Sequence, residues 1–395
     1  MMLLNRARAV ELMRQASVDG IIATSLENVA YISGYLSFSQ RLIKATQVYA
    51  VLPVDHPDQA LLVAPVGDLD GVAQRAVHVQ VQSYGVFPVF NSPAVNSEPD
   101  QLAFLGLMQA AVSKGPTDAL TVALSLLGLK GKKLALDGTG LTPPVAKQLY
   151  RSLGSDNTVD GWDLMRRIRM VKTPEEVSRL RQAASITEAA IDDVLRSVHE
   201  GMTEREMAYV FNNAVLRRDA MPLLTCIGVG PRSALPNVVP SERRLKKGDI
   251  IRFDVGCVYD WYCSDLARIA CFGEPPANAA AYYRAVLCGE QAAIGSMKPG
   301  ARAREIFRAA LDATRASGIP HFERHHCGHG IGLECYDMPS IAPGDETVLQ
   351  PGMVVNIETP YYELGFAGLQ VEDTVVVTKS GAEPLSVSDR SLRVV

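Results

Sequence analysis

Two kinds of apolar spacing alternate along the first 160 residues. Helical periodicity, with apolar residues three and four positions apart, alternates with short apolar runs typical of buried strands. Strands alternating with helices predict an α/β domain with a mostly parallel or mixed sheet. The strands are predicted at 20–25, 47–54, 60–66, 77–85 and 132–138, and the helices at 6–18, 101–129 and 143–153.

A second domain is predicted to follow. Thr173, Pro174 and Glu176 form a helix N-terminus with a capping box, and Thr203 with Glu206 repeats the pattern. Strand-like runs dominate from Leu223 onward, interrupted by helical stretches. Those helices are predicted at 278–296 and 303–317, and the two domains at 1–160 and 161–395.

Composition places the chain among ordinary globular proteins. Of its 395 residues, 47% are hydrophobic and 21% are charged, and the net charge of -4 gives no general attraction to nucleic acid. Seven cysteines without a Cys-x2-Cys pair suit a reducing compartment. There is neither a signal-peptide pattern nor an apolar run of about 18 residues. We therefore predict a cytoplasmic protein that binds neither nucleic acid nor membrane.

Two acidic residues lie in apolar strand patterns on either side of a predicted turn. If the hairpin turns at Tyr259-Asp260, Asp254 and Asp265 face each other in the ladder. Their Cβ atoms would then be about 5 Å apart. Two buried carboxylates at that distance repel each other and lose hydration. The hairpin therefore predicts either a protonated carboxyl group or a bound cation.

A second hairpin carries a second acidic pair. A turn near Gly365 places Glu358 opposite Glu372, and a glycine-rich stretch around His329 supplies an imidazole. Four carboxylates and one neutral imidazole balance two divalent cations. One nitrogen among oxygen ligands suits Mn²⁺, Co²⁺, Fe²⁺ or Zn²⁺. Two such ions can share a bridging hydroxide and polarise a carbonyl group, which predicts a hydrolase.

These motifs resemble those of the M24 metallopeptidases, which include methionine aminopeptidase, aminopeptidase P and prolidase. The DxG, SD, GHGIG, ET and ED contexts match. GIIATSLENVAYISGY and RMVKTPEEVSRLRQAA indicate the branch of prolidase, aminopeptidase P and creatinase. The resemblance implies an α/β (α+β) chain, with an N-terminal creatinase-like domain before a catalytic pita-bread domain, and a homodimer. It implies the metal ligands Asp254, Asp265, His329, Glu358 and Glu372.

Three positions depart from the peptidase motifs. Asn237 and Tyr336 stand where the family has histidines that contact substrate, and Gln370 replaces an arginine behind the metal ligands. We interpret all three as lining the substrate pocket. The resemblance implies that Glu358 accepts the proton of the attacking water. It also makes His325 and Tyr362 candidates for substrate contact and proton transfer.

Three functional hypotheses follow from the motifs and their departures. The first is hydrolysis of Xaa-Pro dipeptides or of N-terminal Xaa-Pro peptide bonds. The second keeps the metals but takes a small non-peptide metabolite, because neither Asn237 nor Tyr336 moves a proton near pH 7 as histidine does. The third is a binding scaffold whose catalysis has decayed, and five intact ligands count against it because four bare carboxylates are unfavourable to bury.

Overall fold

The computed structural model describes residues 3–75, 79–90, 98–110 and 112–395. The chain divides into two compact units, Met1–Arg169 and Met170–Val395. Within the described part of the chain, no helix combines the length and the apolar character needed to cross a membrane.

The first unit is a mixed sheet flanked by helices. Its strands lie in the order β4-β3-β2-β1-β5-β6, with β1 antiparallel to β2 and parallel to β5. The predicted α/β architecture is thus confirmed for this unit. The strands are β1 Gly20–Ala23, β2 Tyr49–Pro53, β3 Leu61–Pro65, β4 Gln80–Tyr84, β5 Leu134–Leu136 and β6 Thr158–Asp160. The helices are α1 Arg6–Gln15, α2 Leu26–Ser33, α3 Phe38–Leu42, α4 Leu69–Gln74, α5 Pro99–Met108, α6 Pro116–Leu126, α7 Pro143–Leu153 and α8 Trp162–Arg169.

Helix prediction in this unit was correct for α7, which has the predicted bounds. The single helix predicted over 101–129 was wrong, because Gly115 and Pro116 begin a separate helix with proline in its first turn. The predicted helix from Arg6 ends early, and Ser17 adopts a left-handed conformation with φ 54°. Positions 77 and 78 of the fourth predicted strand, and position 111, lie outside the described residues.

The second unit begins with two capped helices. Thr173 accepts a hydrogen bond from the Glu176 amide, and the Glu176 carboxylate accepts one from the Thr173 amide at 2.7 Å, as predicted. Thr203 and Glu206 repeat this capping box. The helices are α9 Pro174–Ser197, α10 Glu204–Leu216, α11 Ala279–Ser296 and α12 Ala303–Ala316.

A ten-stranded sheet forms the centre of this unit. Its main path runs β12-β11-β13-β16-β10-β8-β7, and β9, β17 and β18 pair with its members. Two further strands, β14 and β15, form a separate hairpin. The strands are β7 Met221–Val229, β8 Ile250–Tyr259, β9 Tyr262–Cys263, β10 Leu266–Cys271, β11 Gly328–Gly330, β12 Asp337–Ser340, β13 Val354–Glu358, β14 Tyr361–Glu363, β15 Ala367–Leu369, β16 Glu372–Val377, β17 Ala382–Pro384 and β18 Arg393–Val394.

Alternation along the strands separates an apolar face of this sheet from a polar one. In β8, Ile251, Phe253 and Val255 pack with residues of α9 and α10 in one buried cluster. In β13, Val355 and Ile357 pack with residues of α12 in another. Because successive side chains point to opposite faces, the residues between them point away from these helices. The polar face therefore carries the charged side chains of both strands.

The first predicted hairpin has the wrong register. Its turn lies at Asp260-Trp261, whose φ angles of 42° and 77° suit a two-residue turn that needs positive φ at both positions. Asp254 consequently pairs with Ala267 and not with Asp265. The error is two residues, and a shift of two keeps every side chain on its original face. Asp254 and Asp265 are therefore diagonal neighbours on the polar face.

The second predicted hairpin is confirmed. Glu358 pairs with Glu372 across β13 and β16, and Tyr361 pairs with Leu369 across β14 and β15. Gly365 lies at the turn with φ 86°, a conformation that glycine adopts without strain. The pairing of residues counted from the turn at Gly365 therefore holds as far as Glu358 and Glu372.

Candidate metal centre

The strand register brings the predicted ligands to one face of the sheet. Glu358 pairs with Glu372, Glu372 with Ala267, and Ala267 with Asp254. These four residues therefore form one row across β13, β16, β10 and β8. The small side chain of Ala267 leaves space in the row beside Asp265. His329 joins the same face because it pairs with Asn356, two residues before Glu358.

Asp265, His329 and Glu372 come closest to a preformed metal site. Their ligand atoms all lie within 4.8 Å of one another. The His329 Nε2 atom is 3.9 Å from Asp265 Oδ2 and 3.9 Å from Glu372 Oε1. Ligand bonds of about 2.0–2.2 Å to a shared divalent ion bring two ligand atoms no more than about 4.4 Å apart. The two distances from His329 Nε2 fit that limit.

Two orphaned atoms support a cation at this place. Among the described residues, neither Asp265 Oδ1 nor His329 Nε2 has a hydrogen-bond partner, although both are buried. His329 donates from Nδ1 to the Gly330 carbonyl at 3.0 Å, so the lone pair of Nε2 faces the carboxylates. Buried polar atoms normally have partners. A bound divalent ion would supply a partner for both atoms.

Asp254 is held by an arginine that sequence reasoning missed. The Arg252 Nη1 atom donates to Asp254 at 2.9 Å and to the Gln370 oxygen at 2.7 Å. Its other nitrogens donate to the carbonyls of Ser233, Leu235 and Pro236 at 2.6–2.9 Å. The Arg252 side chain is fully buried, and these contacts fix the rotamer of the neighbouring carboxylate.

Glu358 lies between an imidazole and a guanidinium group. Its Oε1 atom is 3.2 Å from His326 Nδ1, and its Oε2 atom is 3.9 Å from Arg324 Nη2. The Gly328 amide donates to the same His326 nitrogen at 3.4 Å. Burial lowers the pKa of His326 to about 4, so the ring is neutral at pH 7.

Electrostatic repulsion couples the four carboxylates. Burial raises the pKa of Asp265 and Glu372 well above the ordinary range, and the neighbouring carboxylates raise it further. Burial also raises the pKa of Asp254, although Arg252 opposes it. The pKa of Glu358 rises to about 7, with burial the main cause and Arg324 the main opposing charge. A cation among these groups would favour their ionised forms.

The residues expected to line the pocket have different surroundings. Tyr336 is 59% exposed, and its ring stacks on His329 with centroids 3.7 Å apart. Asn237 is exposed and follows the carbonyls that Arg252 holds. Gln370 is buried, and its oxygen accepts from Arg252 and from the Tyr362 hydroxyl, the latter at 3.1 Å. His325 is exposed, with its ring 4.3 Å from that of His326.

Four further residues at the centre were not among the predicted site residues: Arg252, Arg324, His326 and Asn356. Asn356 donates to Glu372 at 3.1 Å and to the Asp265 carbonyl at 3.0 Å, and so ties the two ligand strands together. Its position in the strand, two residues before Glu358, could have indicated the same face. Arg252 stands two residues before Asp254 and offered the same clue.

Divalent metal binding is expected to release protons near neutral pH and to weaken as the pH falls. The ligand carboxylates have raised pKa values, about 7 for Glu358, so part of them is protonated before metal binds. Metal binding requires their ionised forms. Calorimetric titration with Mn²⁺ at pH 6, 7 and 8, in buffers of different ionisation enthalpy, measures the protons released. A heat that is independent of the buffer at every pH contradicts this prediction.

Known proteins resemble the chain in both units. Metallopeptidase family M24 matches residues 178–379, and the creatinase/prolidase N-terminal domain matches residues 6–171. A Xaa-Pro dipeptidase of Pyrococcus furiosus is 35% identical over 234 residues, which are 58% of this chain and 67% of that protein.

Solved structures resemble the chain over almost its full length. The prolidase of Pyrococcus horikoshii has a TM-score of 0.78 and 26% identity, covering 98% of this chain and 99% of that one. A dipeptidase of Mycobacterium ulcerans has a TM-score of 0.79 and 26% identity, covering 99% and 96%. The family match spans half of the chain and includes all five predicted ligands. The chain therefore belongs to metallopeptidase family M24 and is a metal-dependent hydrolase.

Proposed function

We propose that this protein hydrolyses the bond before proline in Xaa-Pro dipeptides or at the N-terminus of Xaa-Pro peptides. The observation that carries the proposal is the buried cluster of Asp265, His329 and Glu372, with two ligand atoms that lack partners. The relatives named Xaa-Pro dipeptidase and prolidase support the substrate class. The comparisons do not favour the small-metabolite hypothesis or the decayed scaffold.

The proposed cofactor is a pair of divalent ions, Mn²⁺, Co²⁺, Fe²⁺ or Zn²⁺. Ions bound there would polarise the scissile carbonyl group and activate water. Oxygen ligands with a single imidazole support this choice of metals. The proposed ligands are Asp254, Asp265, His329, Glu358 and Glu372.

The proposed proton path starts at Glu358. Glu358 would accept the proton of the attacking water in its ionised form, which bound metal ions would favour. The His326 Nδ1 atom lies 3.2 Å from Glu358 Oε1, but burial lowers the pKa of this ring to about 4, so Glu358 would keep the proton in preference to His326. His325, whose exposed ring lies 4.3 Å from that of His326, stays the candidate for carrying the proton to solvent. Tyr362 stays a candidate for substrate contact, with its hydroxyl on Gln370.

Other parts of the proposal rest on the resemblance and on composition. Residues 161–395 would form the catalytic domain and residues 1–160 the creatinase-like domain. The branch resemblance supports a homodimer, and the cysteine pattern supports the cytoplasm. Asn237 and Tyr336 would contact substrate by hydrogen bonding, without the proton transfer that histidine performs.

The experiment joins metal content to turnover. Purified full-length protein is stripped with a chelator, reloaded with each candidate metal, and assayed on Ala-Pro, Leu-Pro and a longer Xaa-Pro peptide. We expect about two equivalents of metal, and turnover that disappears on stripping and returns on reloading. Two bound equivalents without turnover of any of the three substrates would reject the peptidase proposal.

A further inference from the structure

Within the described part of the chain, the Asp265 carboxylate accepts one hydrogen bond, and its donor is a cysteine. The Cys335 thiol lies 3.3 Å from Asp265 Oδ2, whereas the buried Oδ1 atom has no partner among these residues. An ionised carboxylate has no proton to give, so the thiol is the donor. The contact therefore fixes one oxygen of Asp265 and leaves the other open to a cation.

The loop that carries Cys335 is attached to the short strand just before Asp265. This loop lies between β11 and β12. The Cys263 amide, in β9, donates to the Gly332 carbonyl at 2.8 Å, and the Cys263 thiol donates to the Leu333 carbonyl at 3.6 Å. Since Cys263 stands only two residues before Asp265, these contacts hold the loop and the carboxylate together.

Three other proposed ligands are also oriented by a polar group that lies beside them. These pairs are Arg252 with Asp254, Asn356 with Glu372, and the Gly330 carbonyl with His329, at 2.9–3.1 Å. Groups that orient a metal ligand typically change metal affinity by about 10- to 100-fold when they are removed. The thiol of Cys335 has the corresponding position beside Asp265.

The next residue of the same loop contacts a second ligand. The ring of Tyr336 stacks on that of His329, with centroids 3.7 Å apart. Asp265 and His329 belong to the cluster whose ligand atoms lie within 4.8 Å of one another. Consecutive side chains of one loop therefore contact two members of the cluster.

We propose that Cys335 is a positioning residue of the metal centre, whose thiol orients the Asp265 carboxylate for metal binding without ligating the metal itself. This inference rests on the ligand set of the proposed function. Ligation by the sulfur is the alternative, because metal–sulfur and metal–oxygen bonds of about 2.3 and 2.0–2.2 Å also allow a separation of 3.3 Å. The four carboxylates already balance two divalent ions, however, and a thiolate would add an unmatched negative charge.

The test separates a missing donor from a missing sulfur atom. Metal-stripped full-length protein is titrated calorimetrically with Mn²⁺, together with Cys335→Ser, Cys335→Ala and Cys335→Val. Serine keeps a donor, whereas alanine and valine lack one and differ from each other in size. We expect Cys335→Ala and Cys335→Val to bind Mn²⁺ about 10-fold more weakly, since a thiol is a weak donor, and Cys335→Ser to retain most of the affinity. Cys288→Ala, at an exposed position of α11, is the matched control.

Co²⁺ absorption spectra and urea unfolding of the metal-free proteins accompany the titrations. The expected order of affinities supports the inference if wild-type protein shows no thiolate-to-Co²⁺ charge-transfer band and if Cys335→Ser and Cys335→Ala unfold at similar urea concentrations. A charge-transfer band that Cys335→Ser removes would make the sulfur a ligand and overturn the inference. Equal affinities in all four proteins, an equal loss in Cys335→Ser and Cys335→Ala, or a loss confined to destabilised variants would also overturn it.

Each of those contrary results leaves the peptidase proposal standing, because wild-type protein still binds metal. Failure of the wild-type protein to bind Mn²⁺ or Co²⁺ would overturn both.

Discussion

Asp265→Asn is expected to abolish metal-dependent turnover while making the metal-free protein more stable at neutral and alkaline pH. Asparagine keeps the shape of the side chain but removes the charge beside His329 and Glu372. Loss of a second-layer partner already lowers metal affinity by about 10- to 100-fold, and loss of a ligand should exceed that. Losing several kcal/mol of transition-state stabilisation by the metal ions corresponds to a fall in kcat/KM of at least about 10³-fold.

Asp265→Asn is expected to raise stability although it abolishes activity, and the reason is the raised pKa of the Asp265 carboxyl group. Burial and Asp254 raise the pKa of Asp265 in the folded protein well above its unfolded value. The folded state therefore binds more protons between those two pKa values, and stability falls as the pH rises through that window. One proton corresponds to a slope of about 1.4 kcal/mol per pH unit. Asp265→Asn removes this titrating group, so the free energy of unfolding should depend less steeply on pH.

Chemical unfolding of metal-free protein from pH 5 to pH 9 measures the slope, and calorimetry with Mn²⁺ measures the affinity. Asp312→Asn is the matched control, because Asp312 is exposed on α12. It should change neither quantity. Wild-type metal affinity in Asp265→Asn would mean that Asp265 is not a metal ligand. An unchanged dependence of stability on pH would mean that the pKa of Asp265 is not raised in the metal-free folded protein.

The alternation of apolar and polar residues predicted correctly which acidic residues share the polar face of the sheet. It predicted less well which residues are paired across the strands. Glu358 and Glu372 follow from alternation about a glycine turn, and the structure has the same register. For Asp254 and Asp265 the turn was misplaced, because Asp260 and Trp261 both take positive φ where no glycine marks the turn. The two-residue error left both carboxylates on the correct face, since side chains alternate with a period of two.

Contacts between distant segments could not be predicted from local patterns. The substitution at Gln370 indicated that the site lacks a guanidinium group behind its ligands. Arg252 supplies that group from β8, and it reaches Gln370 across 118 positions of sequence. An arginine inside an apolar strand pattern does not reveal its partner, because the partner depends on how the strands and loops pack. We therefore expect Arg252 to compensate, within this chain, for the departure at position 370.

Arg252→Leu is expected to destabilise the protein by about 3–5 kcal/mol, because it leaves the buried Asp254 carboxylate without its charged partner. It also frees the carbonyls of Ser233, Leu235 and Pro236, which Arg252 holds beside Asn237. Metal affinity should fall by about 10- to 100-fold, as for other groups that orient a ligand. Urea unfolding of the metal-free variant and calorimetry with Mn²⁺ measure the two effects.

The double variant Arg252→Leu with Gln370→Arg distinguishes a compensating arginine from one that only fills space. It returns a guanidinium group to the position where the peptidase motif has one, so it should recover part of the lost metal affinity. Gln370→Arg alone should be harmful, because it would place a second buried cation against Arg252. Coupling between the two positions, beyond the sum of the single variants, is the expected result. Additive losses in the double variant would mean that Arg252 and Gln370 do not share the role of orienting Asp254.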